Sequence, residues 1–201
     1  MEENNGGPRP FRDRADLHRI LVLVLDLLRT AGPAGCDYRL AGTAAALAQG
    51  VPLRAGDIDI LMATRPDVDR FATALSAHRC LVPPNWLAAA SQYYASFEVE
   101  GFKVEASTVE YAAAGDTFEC AGTGPWKHFV ELPVAHHVVP AVRLELRLVT
   151  ELVRDRPDRY EPLLAYLSSR DPDVALIERA MRDREVAAEL RRLVAARLAS
   201  A

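Results

Sequence analysis

The pair Asp57 and Asp59, alternating with Ile58 and Ile60, is the sequence feature that most constrains how this chain can fold. Side chains two residues apart on a β-strand point to the same face, so a strand here carries two carboxylates in front and two isoleucines behind. Like charges this close raise each other's pKa unless a cation lies between them. Oxygen-only ligation suits Mg²⁺ or Mn²⁺. The alternation therefore predicts a strand that packs on its isoleucine side and binds a divalent cation on the other.

A short segment upstream provides the expected partner of these acids. Residues 38–41 are predicted to form a strand, and residues 43–49 a short helix that Gly50 ends. Gly42 between them allows the backbone to turn tightly. The amino end of a helix offers free N–H groups and a partial positive charge, so a strand–glycine–helix step suits a polyphosphate group.

Together the two segments resemble the signature of the nucleotidyltransferase superfamily, which includes DNA polymerase β and the aminoglycoside and lincosamide nucleotidyltransferases. That signature has an apolar residue, Gly, then Gly or Ser, a spacer, and Asp-apolar-Asp/Glu-apolar. Residues 41–43 and 57–60 correspond to its two parts. Thr43 is a departure, because it keeps the hydroxyl of Ser but adds a methyl group. The resemblance is strongest over residues 38–62 and extends to about residue 160.

The resemblance implies an α+β fold, in which a mixed β-sheet is flanked by helices and followed by a C-terminal helical region. It also implies a Mg²⁺- or Mn²⁺-dependent enzyme that moves a nucleoside monophosphate from an NTP to a hydroxyl of a small molecule, a protein or a tRNA. Asp57, Asp59 and Glu105 would be the catalytic metal ligands. The nucleotide would be contacted by Gly42, Thr43 and Arg54.

Glu105 is the candidate third carboxylate because of its place in the strand predicted for residues 102–107. The superfamily carries its third acid on a neighbouring strand after an intervening helix, and three acids on two adjacent strands can hold two metal ions. Alternation puts Glu105 and Lys103 on one face. A solvated hairpin edge would show the same pattern, and other acids lie nearby at Glu98, Glu100 and Glu110.

Several basic residues have both a functional and a structural interpretation. Arg54 either reaches a phosphate or lies in a solvated loop, and Lys103 and Lys127, the only lysines of the chain, either contact the nucleotide or are exposed. The segment with Arg156, Asp158 and Arg159 is similar to a basic turn after the catalytic core of small nucleotidyltransferases. A salt-bridged helix surface is the alternative for this segment.

Several aromatic and histidine residues also have both a functional and a structural interpretation. Trp86, Tyr93 and Tyr94 either stack on a base or belong to the core. His136 and His137 follow Pro133 in an expected linker, and no partner ligands have a spacing that suits a metal site.

Two other function classes remain compatible with this sequence. A non-catalytic nucleotide- or partner-binding domain on the same fold would be consistent with Thr43 and with a Glu105 that belongs to a solvated hairpin edge. A glycosyltransferase also uses Asp-x-Asp to hold a metal on a diphosphate, although a Gly-Thr pair before the acids is not its pattern.

Periodicity divides the chain into a disordered segment over 1–12, a core over 13–139 and a C-terminal helical region over 140–201. The core is predicted to contain a helix over 15–30, a helix opened by Pro66, a hairpin over 93–107 and a strand over 129–132. The C-terminal region is predicted to form helices over 142–153, 160–167 and 174–198. Strands first and helices last favour the α+β class.

Composition limits which binding partners and which cellular compartment can be expected. The 201 residues carry a formal net charge of −4, which argues against sequence-independent nucleic-acid binding. The cysteines Cys36, Cys80 and Cys120 are too widely spaced for a zinc motif and odd in number, so they are expected to be reduced in a cytoplasmic protein. The apolar run at residues 20–28 is too short to span a membrane, and no membrane partner is expected.

Overall fold

A computed structural model of the chain describes residues 7–11, 13–30, 37–110, 116–119 and 127–199. Within these residues the strands form one mixed sheet of seven, in the spatial order β3-β4-β5-β2-β1-β7-β6. The strands are β1 (Tyr38–Ala41), β2 (Asp57–Met62), β3 (Arg79–Leu87), β4 (Gln92–Val99), β5 (Phe102–Ser107), β6 (Phe129–Val134) and β7 (His137–Val142).

Two pairings of the sheet are parallel, and both lie near its centre. Strand β2 pairs with β5, and β1 pairs with β7, in parallel. The pairs β1–β2, β3–β4, β4–β5 and β6–β7 are antiparallel. Parallel strands need a crossover connection, and the chain between β2 and β5 supplies one with a helix and the β3–β4 pair.

Helices account for most of the rest of the described chain. They are α1 (Arg14–Thr30), α2 (Gly42–Ala48), α3 (Arg65–Ala74), α4 (Leu144–Val153), α5 (Pro157–Ser168), α6 (Val174–Asp183) and α7 (Ala188–Ala199), with a short 3₁₀ turn at Ala88–Ala90. Helix α3 begins at an N-cap, since the Thr64 hydroxyl accepts from the backbone N–H of Asp67. Helix α5 begins with Pro157, whose missing N–H costs nothing in a first turn. The described helices include none long and apolar enough to cross a lipid bilayer.

The apolar residues form two cores. The first includes the buried faces of α1, α3 and the central strands, with Ile58 and Ile60 inside it as the alternation predicts. The second joins α4, α5, α6 and α7. All residues of α2 are buried, and its alanines contribute to both cores, because small side chains let a helix pack closely on both sides. The predicted α+β class is confirmed.

Several predictions of secondary structure are wrong. Strand β3 was not expected at all, since its sequence contains two prolines and no clean alternation. The expected linker at His136 and His137 is a tight turn followed by the first residue of β7. The single helix predicted for 174–198 is two helices, separated where Glu185 takes φ 52°.

Phe11, within the segment predicted to be disordered, packs into the core. Phe11 is fully buried, stacks on Phe102 and exchanges backbone hydrogen bonds with Ala55. Disorder is therefore the wrong prediction for Phe11, while residues 1–6 and Arg12 lie outside the described part. Cys80 is an exposed free thiol on β3, and Cys36 and Cys120 lie outside the described residues.

Candidate functional site

The parallel pairing of β2 and β5 brings the predicted acids together. In this register Asp57 lies beside Lys103, and Asp59 lies beside Glu105. The alternation of each strand then turns all of these side chains to one face. One carboxylate oxygen from each of Asp57, Asp59 and Glu105 lies within 4.8 Å of the other two. The structure therefore joins the three acids that the sequence identified separately.

Gly42 packs directly against Asp59. Its φ of +64° lies in the left-handed region, and a Cβ built on it would be 1.8 Å from Oδ2 of Asp59. The close approach follows from the antiparallel β1–β2 register, in which Ala41 pairs with Asp59. Only glycine fits both the backbone conformation and the space, so the turn and the acid form one unit.

Lys103 provides a positive charge among the acids. Its Nζ lies 3.5 Å from Oδ2 of Asp57 and contacts Oε2 of Glu105 more closely. Burial by itself would lower the pKa of Lys103, but the adjacent Glu105 carboxylate raises it above its ordinary value. The lysine is therefore charged, and it neutralises part of the acidic cluster.

The carboxylates still repel one another in spite of this lysine. Burial raises the pKa of Asp59 well above its ordinary value, and the negative charges of Asp57 and Glu105 raise it further. Burial and the Glu105 charge also raise the pKa of Asp57, while Lys103 opposes the shift. A bound cation would relieve this repulsion, and the all-oxygen donor set fits Mg²⁺ or Mn²⁺.

A cleft of about 430 Å³ opens in front of Asp59 and Glu105, whereas Asp57 and Lys103 are not among the described residues that line it. The volume is in the range of small-molecule sites. Strand and turn residues form one side, and arginines from the C-terminal helices form another. The cleft is lined by Ala41, Gly42, Thr43, Asp59, Leu61, Ala90, Gln92, Tyr94, Glu105, Ser107, Val109, Arg147, Arg154 and Arg159.

The arginines of the cleft differ in how firmly they are held. Arg147 on α4 is buried and donates hydrogen bonds of 3.0 and 3.2 Å to Glu119. It also contacts the buried Glu151. Arg159 on α5 donates to the Thr43 hydroxyl at 2.8 Å and lies 3.7 Å from Glu151. Arg154, just after α4, is exposed. All three line the same cleft as Asp59 and Glu105.

Of the aromatic residues considered for base stacking, Tyr94 alone is among the described residues that line the cleft. Its hydroxyl donates to Oε2 of Glu105 at 2.7 Å. The hydroxyl of Tyr93 instead donates to Asp69, and the guanidinium group of Arg65 lies over the rings of both Trp86 and Tyr93. Tyr94 thus orients the third acid, a role that the sequence did not suggest.

Other predicted basic residues lie elsewhere. Arg54 is exposed in the loop between α2 and β2 and does not line the cleft among the described residues, so its nucleotide contact stays a prediction. Lys127 is exposed, 3.7 Å from Asp116. Arg156 pairs with Asp158 on the surface, which matches the salt-bridged interpretation of that turn.

Sequence reasoning did not single out Arg147 and Arg154. No local pattern tells which arginine of an amphipathic helix faces a cleft. One signal was available for Arg147, since burial at an apolar helix position requires acidic partners such as Glu151 at i+4.

Among the comparisons with known proteins, the one that supports the fold is the comparison of structures. No protein-family model matches the sequence, and no curated protein matches it either. A crystal structure of a "putative nucleotidyltransferase" from Thermotoga maritima superposes with a TM-score of 0.55 at 18% identity, covering 80% of this chain and 98% of that one. An antigenic nucleotidyltransferase-like protein from Paracoccidioides brasiliensis superposes with a TM-score of 0.50 at 12% identity, covering 94% of each chain. At such identities the likeness concerns architecture, and with the sheet order and the helices described above it shows that this chain has a nucleotidyltransferase-like fold.

Proposed function

We propose that this protein is a divalent-metal-dependent nucleotidyltransferase that moves a nucleoside monophosphate from an NTP to a hydroxyl of an acceptor. The acceptor is a small molecule, a protein or an RNA. The observation that carries the proposal is the cluster of three carboxylates beside the Gly42 turn, two of which, Asp59 and Glu105, line a cleft that arginines also line.

Asp57, Asp59 and Glu105 are the residues that would hold the metal. Cations bound there would neutralise the polyphosphate and favour loss of the proton from the acceptor hydroxyl. Gly42 leaves room for Asp59 to lie against the turn, and Tyr94 holds Glu105 in place with its 2.7 Å hydrogen bond.

In the proposed transfer, the acceptor oxygen forms a bond to the α-phosphorus as the bond to pyrophosphate breaks in line. The acceptor's proton is released to water, and pyrophosphate leaves with the electron pair of the broken P–O bond and its negative charge. Arg159 and Arg154 would balance that charge, because both line the cleft and are less deeply buried than Arg147. Positioning and electrostatic stabilisation carry most of the catalysis in such reactions.

Labelled-nucleotide transfer tests this proposal. The protein is incubated with each α-labelled NTP and Mg²⁺ or Mn²⁺, with small-molecule, tRNA and protein fractions as acceptors, and NTP binding is followed separately by thermal shift. Asp59→Asn should abolish both transfer and the metal-dependent part of NTP binding. The matched control is Asp171→Asn, because Asp171 is an exposed acid between α5 and α6. Unchanged Mg²⁺-dependent binding in the Asp59 variant would exclude the assignment.

A nucleotide-binding domain without catalysis is the second candidate, and Lys103 favours it. A lysine ammonium between Asp57 and Glu105 competes with a cation for the same carboxylate oxygens. Under this alternative, an NTP would raise the melting temperature without any turnover, and adding Mg²⁺ would change that rise little. The same thermal-shift titration, read beside the transfer assay, separates the two functions.

A further inference from the structure

A second cluster of metal-binding side chains lies where α1 passes the β6–β7 hairpin. Asp26 comes from the carboxyl-terminal half of α1, His136 from the two-residue turn of the hairpin, and His137 from the first residue of β7. Asp26 and His136 are 110 residues apart in sequence. Among the described residues that line the nucleotide cleft, none belongs to this cluster.

The donor atoms of this cluster converge on one point. Nε2 of His136 lies 2.8 Å and Nε2 of His137 3.3 Å from Oδ1 of Asp26. One ligand atom from each residue lies within 4.8 Å of the other two. Donor atoms bound about 2.0–2.2 Å from a tetrahedral zinc ion are about 3.3–3.6 Å apart, so small side-chain shifts would make room for the ion.

His137 gives an independent reason to expect a ligand. Its Nε2 is buried and makes no well-aligned hydrogen bond, although Asp26 lies nearby. A buried polar atom without such a bond costs free energy, and metal coordination would satisfy it. The side chain of His136 is 57% exposed, which leaves an outer position open to water.

The hairpin geometry holds the two imidazoles together. Ala135, the first turn residue, has φ 54°, which lets Val134 pair directly with His137. The two imidazole rings lie with centroids 4.2 Å apart, tilted by 39°. Consecutive residues of a strand normally point to opposite faces, so the turn is what allows both rings to approach Asp26.

We propose that Asp26, His136 and His137 bind Zn²⁺ and thereby fasten the β6–β7 hairpin to α1. Two imidazole nitrogens and one carboxylate oxygen suit zinc, whereas Mg²⁺ prefers oxygen ligands alone. This site is separate from the proposed nucleotide site, and its role is structural. Because zinc would bind the folded chain and not the unfolded one, it would raise the free energy of unfolding.

The alternative is a cluster of ordinary ion pairs. Arg29 also contacts Oδ1 of Asp26, at 3.4 Å, and protonated histidines would serve as further partners. Under this reading Zn²⁺ would have no preference for the cluster.

Calorimetric titration of tag-free, chelator-treated protein with Zn²⁺ tests the proposal. We expect one equivalent to bind at this site and the melting temperature to rise. His137→Ala and Asp26→Asn should each weaken zinc binding by more than about tenfold, since even outer-shell partners of a metal contribute about 10–100-fold. The Asn variant keeps the shape of the side chain, so it reports on ligation even if the Ala variant is unstable.

A control variant excludes other zinc ligands. His78→Ala removes a histidine in the turn after α3 and should leave zinc binding intact. Binding of Co²⁺ should give visible bands without thiolate charge transfer. Zinc affinity that is equal in the wild type and in both ligand variants, or no zinc binding at all, would overturn the proposal.

Discussion

Arg159 on α5 donates a hydrogen bond of 2.8 Å to the hydroxyl of Thr43 on α2, 116 residues earlier in the chain. The bond ties the C-terminal helices to the turn beside the acids. It also gives the Thr43 hydroxyl, the group that threonine shares with the serine of the signature, a partner within the protein. Burial lowers the pKa of Arg159 from its ordinary value, and the charges of Arg156 and Arg147 lower it further, yet it remains a cation.

Arg159→Ala should therefore weaken NTP binding. Hydrogen bonds to charged groups contribute about 1.5–3 kcal/mol, so we expect the NTP dissociation constant to rise by roughly tenfold or more. Binding is measured by calorimetry with Mg²⁺ present. The matched control is Arg192→Ala on α7, which removes an exposed arginine that pairs with Glu189. Equal binding by the two variants would contradict a role for Arg159 at the nucleotide.

Gly42→Ala should disable the acid cluster. The new methyl group would fall 1.8 Å from Oδ2 of Asp59, and the φ of +64° is strained for alanine. We expect loss of metal binding together with a fall in stability of about 1–2 kcal/mol, the cost of a left-handed alanine. Metal titration and chemical denaturation measure the two effects. Gly56→Ala is the control, because nothing lies within 4 Å of its Cβ position. A Gly42 variant with normal metal binding would show that Asp59 can move aside.

Lys103→Ala should strengthen metal binding in the absence of nucleotide. The lysine competes with a cation for Asp57 and Glu105, so its removal should lower the Mn²⁺ dissociation constant by about tenfold, a free-energy change of about 1.4 kcal/mol. Electron paramagnetic resonance of free Mn²⁺ measures this affinity. Lys127→Ala removes the other lysine of the chain, which is exposed, and should have no effect. Weaker Mn²⁺ binding by the Lys103 variant would mean that the lysine holds the acids in place for the metal.

The acids also predict how stability depends on pH. Burial, followed by the charges of Asp57 and Glu105, raises the pKa of Asp59 in the folded protein. The folded state therefore holds this proton more tightly than the unfolded state. The contribution of Asp59 to the free energy of unfolding is present below the ordinary carboxyl pKa. It is lost as pH rises through the raised pKa that Asp59 has in the folded protein.

Asp59→Asn should consequently stabilise the metal-free protein at pH 8 and have little effect at pH 3. A gain of about 1 kcal/mol would raise the melting temperature by about 2–4 °C for a chain of this size. Thermal melts at both pH values, with and without Mg²⁺, make the measurement. Added Mg²⁺ should stabilise the wild type and not the variant. A variant that melts lower than the wild type at pH 8 without metal would contradict the predicted repulsion.

Much of the site could be predicted because its parts are local. Alternation over Asp57–Ile60 fixed which side chains face the core, and the strand–glycine–helix step at Gly42 was recognisable from a few residues. Glu105 was harder, since its place beside Asp59 depends on a parallel pairing between strands 46 residues apart. Strand β3 was missed because its prolines remove the usual strand signal.

The sequence by itself determined the carboxylate pair, the glycine turn and the α+β class, because strand alternation and backbone freedom are properties of neighbouring residues. Tertiary structure decided the rest. The Lys103 ammonium between the acids follows from the β2–β5 register, and the Arg159–Thr43 bond follows from how α5 packs beside α2. The meeting of Asp26 with His136 and His137 likewise requires α1 to lie against the hairpin. Such contacts depend on strand register and helix packing between distant segments, which no local pattern encodes.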